Sequence, residues 1–210
     1  DVWLLMDIHF WPRVGYGICC NTAPHARLEH VLDKQYYNML PLGGVVRTAP
    51  AAVRQVHRGF YGLGCPHPGI KCFQSQVSKL LMHYGCQSAL GKKMAISVRV
   101  LAIELGLSPQ PFHESYTRYK DWVTWSWMTS IWEKSDLYNV RIDILDIELN
   151  FPRERDCWLM QRFVEYGYSA AQLLALNRVR IHQQVVFLSC VLNAAGSDLD
   201  TRYLRRRPDG

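Results

Sequence analysis

Two apolar repeats of helical period, each closed by a glycine, limit what this chain can fold into. Ile70, Phe73, Val77, Leu80 and Tyr84 recur at three- to four-residue steps up to Gly85, and Leu90, Met94, Val98, Leu101 and Leu105 do the same up to Gly106. That spacing lays the apolar side chains along one stripe of a helix, and a glycine just past the last of them accepts the left-handed backbone that ends one. Two consecutive amphipathic helices are expected, and each needs neighbouring elements to cover its stripe. Immediately before them, GFYGLGCPHPG at 59–69 holds four glycines and two prolines and reads as a loop with unusual backbone angles.

Further helical signals flank this pair. Thr22 can cap a helix with Pro24 in its first turn, running through Leu28, Val31 and Tyr36 until Pro41 stops it. A turn at Leu42–Gly44 leads to a short helix after Pro50. Ser108–Pro111 reads as a linker, and beyond it Tyr116, Tyr119, Trp122, Trp125, Trp127 and Trp132 crowd one stretch. Such aromatics can stack on bases, but at this spacing they more commonly build a core. Val140, Ile142, Ile144, Ile147 and Leu149 alternate with polar residues, which predicts a strand or a bulged strand. Pro152 is expected to open a helix that ends at Gly167, Ser169 to cap another, and residues 178–192 to form a long one. YLRRRP at 203–208 reads as a basic exit segment. The fold class expected is mostly α, a multi-helix globular domain with one small β element at about 139–149. It divides into a basic helical region at 1–106 and a mostly helical region at 112–210. With 210 residues, 49% of them apolar and 20% charged, the chain has material for a full core.

Charge is polarised along the chain. Residues 41–120 carry ten Lys and Arg against two acids, whereas residues 121–176 carry five against nine. Between Lys34 and Ile103 there is no acidic residue at all. Arg47, Arg54, Arg58, Lys71, Lys79, Lys92, Lys93 and Arg99 all lie in that interval, and basic side chains gathered on one surface attract a polyanion by releasing its condensed counterions. Nucleic acid is the expected partner; a helical protein-interaction module without a nucleic-acid role is the alternative. No apolar stretch reaches the roughly 18–20 residues of a membrane span, which argues against a membrane partner. Seven cysteines, an odd number without a secretory leader, point to a reducing, intracellular compartment, and a start at Asp1 suggests a piece of a longer polypeptide.

Motifs for chemistry mostly fail. Gly85, Gly91 and Lys92 miss the spacing of a phosphate loop, Gly62 and Gly64 lack the third glycine of a dinucleotide fold, and no GxSxG elbow is present. Asp143, Asp146 and Glu148 could hold divalent metal for a nuclease, although clustered acids on a strand usually form its wet face. Cys65, His67, Cys72, His83 and Cys86 offer ligands of the kind zinc takes, but their gaps match no standard finger. No cofactor is expected.

Longer strings carry a resemblance. WPRVGYG at 11–17, YYNMLPLGGVVR at 36–47, GFYGLGCPHPG at 59–69, KLLMHYGC at 79–86, FPRERDCWLM at 151–160, LNRVR at 176–180 and QQVVFLSCVLNAAG at 183–196 resemble the region downstream of the polymerase domain in reverse-transcriptase-like open reading frames. Those frames belong to retroelements of algae and other unicellular eukaryotes. The resemblance implies a thumb-to-connection portion without the Tyr-x-Asp-Asp of the palm; this sequence has no adjacent aspartates. It further implies that the upstream palm and fingers of the same polypeptide are a partner. RNA or an RNA–DNA hybrid would be gripped by the basic residues named above, with no catalytic residue in this portion.

Overall fold

A computed structural model of the chain describes residues 2–145, 147, 149, 151–154, 156–200 and 202. It is mostly α. In chain order the helices are α1 (Val2–Leu5), α2 (Trp11–Ile18), α3 (His25–Met39), α4 (Ala51–Gln55), α5 (Pro68–His83), α6 (Ala89–Leu105), α7 (Tyr116–Tyr119), α8 (Trp127–Leu137), α9 (Leu159–Glu165) and α10 (Ala170–His182). Residues 1–92 and 125–139 form one compact unit, and 93–124 with 140–210 form a second. The division does not follow the linker at 108–111: it passes through α6, and α8 belongs with the N-terminal unit.

In the first unit α5 packs against α2, α3 and α8. Of its expected apolar stripe Phe73 and Leu80 are buried, Val77 and Tyr84 half-buried and Ile70 exposed, with Cys72 buried beside them, and Gly85 takes φ +81° just past the helix end. Ile18, Leu28 and Cys72 form one buried cluster with Phe10 and Val14, while Met6, Tyr36 and Cys65 form another. Among the tryptophans of this unit Trp132 is fully buried, and Trp125 and Trp127 donate indole N–H bonds to the carbonyls of Thr22 and Cys19 at 2.8 and 2.6 Å. Trp132 and Trp127 therefore build structure, whereas Trp125 is tied by its N–H and still 41% exposed. Thr22 is not the cap of α3. The helix starts after Pro24, and its exposed donor at His25 N is met by the Glu133 carboxylate of α8 at 3.3 Å. From Val2 to Ile18 the chain is helical through a π-turn at Met6–Phe10, a stretch without a capping residue to announce it.

In the second unit the end of α6 is held by a buried arginine. Arg180 of α10 donates from Nη2 to the carbonyls of Ile103 and Glu104 at 2.9 and 2.7 Å, and from Nη1 to Val185 O at 3.3 Å. Asn177 accepts from the same guanidinium and donates to Glu104 O and Trp122 O. The terminal carbonyls of α6, which have no partner within the helix, are thus satisfied by side chains. Burial pulls Arg180 down to about 10, with the Glu104 charge acting the other way. Gly106 must be glycine here, since it takes φ +67° and a Cβ would sit 2.7 Å from Arg180 Nη2.

Three sequence expectations are corrected in this unit. Among the described residues no strand pairs into a sheet; isolated bridges join Trp158 to Phe187 and Leu192 to Leu199. Within the segment expected at 139–149, residues 141–145 keep the alternation of a strand, with Ile142 and Ile144 buried between exposed Arg141, Asp143 and Leu145, while Val140 is exposed. The Gln110 side chain takes the place of a ladder, giving Nε2–H to Ile144 O at 2.7 Å and receiving Ile144 N–H at 3.1 Å. Pro152 does not open a helix: Asp156 instead accepts from Cys157 N and from the Ser189 backbone and hydroxyl, and α9 begins only at Leu159. The long helix expected at 178–192 ends at His182, because Gln184 takes φ +56° and Val185–Phe187 turn back to meet Trp158. Ser169 does cap α10, through a reciprocal box with Gln172.

Replacing Arg180 with Met should strand the Ile103 and Val185 carbonyls, while Glu104 O keeps its bond from Asn177, and should lower stability by about 3 kcal/mol, given roughly 1.5–3 kcal/mol for a hydrogen bond to a charged group. Urea unfolding checks this against exposed Arg178→Ala, for which less than about 0.5 kcal/mol is expected. Equal effects of the two changes would remove Arg180 from its structural role.

Candidate nucleic-acid interface

Because one stripe of α5 is buried, the opposite stripe is free to line a surface. Lys71, Ser75, Ser78, Lys79 and Met82 fall at steps of three and four on that outer stripe and line a cleft of about 580 Å³ whose other wall is the end of α2. Lys71 and Lys79 are both exposed, two turns apart, which sets them about 12 Å from each other along the axis. Tyr16 contributes a ring that is 89% exposed, and Cys19 and Cys20 complete the α2 side. No carboxylate among the described residues lines this cleft. Two ammonium groups flanked by hydroxyl and amide donors form a surface suited to phosphate oxygens.

The other basic residues expected at a nucleic-acid surface are placed differently. Arg54 is buried, pairs with Asp33 at 3.4 Å and stacks over Tyr37 with its guanidinium 5.1 Å from the ring centre, so it is a packing residue and cannot reach a phosphate. Arg58 is exposed but bound to Asp7 at 3.1 Å and to Leu63 O at 3.3 Å. Arg47 lies exposed on a turn. Lys92 and Lys93 are exposed in the first turns of α6, and Arg99 is half-buried further along it. Lys92 belongs to the first unit, Lys93 and Arg99 to the second. Of the eight, only Lys71 and Lys79 are brought together in the cleft. Tyr16, Cys19 and Cys20 were not foreseen as part of a site, although two adjacent cysteines were legible once α2 was recognised as a helix.

The candidate zinc ligands are not gathered. Among the described residues no group of three or more His, Cys, Asp or Glu is arranged to hold a metal ion. Cys65 packs against Met6 and Tyr36, Cys72 lies beside Ile18 and Leu28, and the Cys86 thiol donates to Met82 O at 3.3 Å. His67 caps α5 through Nδ1, which accepts from Ile70 N, while its Nε2–H meets Glu29 at 2.8 Å. No disulfide joins the seven cysteines. Of the candidate nuclease acids, Asp143 is paired with His113 at 2.7 Å; Asp146 and Glu148 lie outside the described residues, as does the basic segment at 203–208.

His67 instead belongs to a small cluster that the sequence did not suggest. His25 Nε2 lies 3.3 Å from the same Glu29 oxygen, and the two imidazoles stack at 6.1 Å. Tyr138 approaches His25 edge-on at 5.7 Å. Gly69 closes the cluster, because a Cβ there would fall 2.3 Å from the His25 ring. Burial holds His25 below its ordinary value; His67 and Lys134 act the same way, and Glu29 and Glu133 oppose them.

No protein-family model, no curated protein and no solved structure matches this chain.

A His held below its unfolded value makes the fold prefer the neutral ring. His25 therefore adds stability that is complete above about pH 6.5 and is lost progressively as pH falls from there through its lower folded-state value. Protonation would also place a donor at Nδ1, which is buried without a partner among the described residues. Denaturation midpoints taken from pH 7.5 to 5.5 should fall, and His25→Gln should flatten the decline; an unchanged slope in the variant would assign it elsewhere.

Proposed function

We propose that this chain is a non-catalytic nucleic-acid-binding and scaffolding portion of a retroelement reverse transcriptase, gripping the backbone of template and primer. The observation that carries this reading is the meeting of Lys71 and Lys79 in a cleft without carboxylates, on a helix drawn from the acid-free interval between Lys34 and Ile103. Lysine ammonium groups act as mobile point charges on phosphates, so such a surface positions a strand without reading its bases. Ser75 and Gln74 add neutral donors, and the exposed Tyr16 ring offers a face to an unpaired base. The sequence strings that resemble the region downstream of the polymerase domain support the same reading. They make the upstream palm and fingers the source of the chemistry and RNA or an RNA–DNA hybrid the ligand. A helical interaction module without nucleic acid is a second reading, favoured by adjacent Phe60 and Tyr61, which are 78% and 99% exposed.

Binding to an RNA–DNA hybrid followed by anisotropy across a salt series separates these. The affinity should fall steeply with salt and vary little with sequence. Lys71→Ala with Lys79→Ala should reduce the log–log slope by about 0.9 for each lysine that neutralises a phosphate, taking the duplex DNA value. A folded double variant with the parent's slope, or a parent that binds no hybrid at low salt, would transfer the function to the interaction module. With Mg²⁺ the chain should neither extend a primer nor cut the hybrid; cleavage abolished by Asp143→Asn would replace this reading with a nuclease.

A further inference from the structure

The end of α2 carries a feature that phosphate binding does not use. Cys19 and Cys20 are adjacent, and their sulfurs lie 3.7 Å apart. Consecutive side chains on a helix diverge, so this approach requires both thiols to turn toward one point. Cys20 is exposed, Cys19 is buried behind it, and both line the cleft between α2 and α5. Across that cleft lies Met82, a third sulfur and a soft thioether donor.

We propose that Cys19 and Cys20 form a two-thiolate site for a soft cation of low coordination number, of the copper(I) class, with the Met82 thioether as its third donor. The spacing fits: two metal–thiolate bonds of about 2.3 Å spanning the 3.7 Å between the sulfurs meet at an angle of about 107°, so the sulfurs need not move to share one ion. A disulfide fits less well, because neighbouring Cα atoms about 3.8 Å apart fall short of the roughly 4.4 Å a disulfide requires. The donor set also selects the ion. Zinc completes a tetrahedron with further His, Cys or carboxylate ligands, which no described cluster supplies, whereas thiolate and thioether sulfurs favour copper(I). Binding replaces two S–H bonds with two Cu–S bonds and releases two protons, leaving one net negative charge on the bis-thiolate. Lys71 and Lys79, in the same cleft, balance that charge. Because binding releases two protons, affinity for the ion should rise with pH. This site stands on its own geometry and does not need the nucleic-acid reading.

The test is anaerobic titration of the chain against copper(I) held by a coloured competing chelator. One equivalent should be withdrawn. Cys20→Ser, at an exposed position where folding is not at stake, should weaken binding about a hundred-fold or more, the advantage that linked ligands give over a single one. Cys19→Ser should do the same and Met82→Leu should have a smaller effect. Cys86→Ser, which removes another exposed thiol, should leave the affinity unchanged. Copper left on the chelator, or equal losses in the Cys20 and Cys86 variants, would overturn the site and reduce it to scattered thiol binding. Zinc held as tightly and through the same two cysteines would overturn the class of ion.

Discussion

Helix α5 has to satisfy two surfaces at once, and the first unit is arranged around that requirement. Its inner stripe is not purely apolar: Gln76 is fully buried and donates to Asn21 O and to the Ser130 hydroxyl of α8, both at 2.9 Å. Ser130 in turn receives the Lys134 ammonium at its hydroxyl and its carbonyl, at 2.9 and 3.1 Å. Burial pushes Lys134 below its ordinary value, while the Cys72 and Glu133 charges act against that shift. The donors of Gln76 and Lys134 are met along this thread although Gln76 Oε1 is buried without a partner, and matching those donors restricts the register of α5 against α8. Fixing the rotation of α5 fixes its outer stripe as well, and with it the direction in which Lys71 and Lys79 point.

The sequence carried the periods that specify helices more faithfully than it carried their ends. α5 and α6 stop before the glycines that were expected to stop them, because a glycine at positive φ is a local requirement visible in one residue. Ends set by distant partners were not visible. α3 starts where a carboxylate from α8 can meet its first donor, and α10 stops where Val185–Phe187 must turn back toward Trp158. The apparent strand shows the same division. Alternation marked Ile142 and Ile144 as buried but also Val140, which is exposed, since a period of two records only the face each residue presents and not whether something covers it. Whether that segment joins a sheet depends on a partner strand, and here it is the Gln110 side chain that pairs with the Ile144 backbone.

For the site, composition was informative and geometry was hidden. An acid-free interval of basic residues is a property of the sequence, but a charge count cannot separate Arg54, buried on Tyr37 and paired with Asp33, from Lys79, exposed in the cleft. The difference lies in helix phase. Lys71 and Lys79 sit out of phase with the apolar stripe of α5, whereas Arg54 sits on a five-residue helix too short to display a period. His67 and Cys72 show the converse. Both are chemically able to bind metal, yet one caps a helix and the other fills a core, roles that take up those donor atoms.

The two proposals for the cleft are coupled through charge. With both thiols protonated, its lining carries the two lysine charges; a copper(I) bis-thiolate brings one negative charge into the same space and leaves about half of that positive charge for a polyanion. The Lys79 charge already acts on the Cys20 thiol, within the roughly 8–10 Å that physiological salt leaves unscreened, whereas Lys71 stands about 12 Å from Lys79 along α5. Occupancy by the ion should therefore weaken the grip on phosphate, and by reciprocity a bound strand should weaken the ion by the same factor. Selection for either ligand alone would favour a different lining: a phosphate surface gains nothing from Cys19 and Cys20, and a thiolate site does not need Lys71 two turns from Lys79. Keeping both sets on facing walls ties them to one local balance of charge, whichever ligand is present.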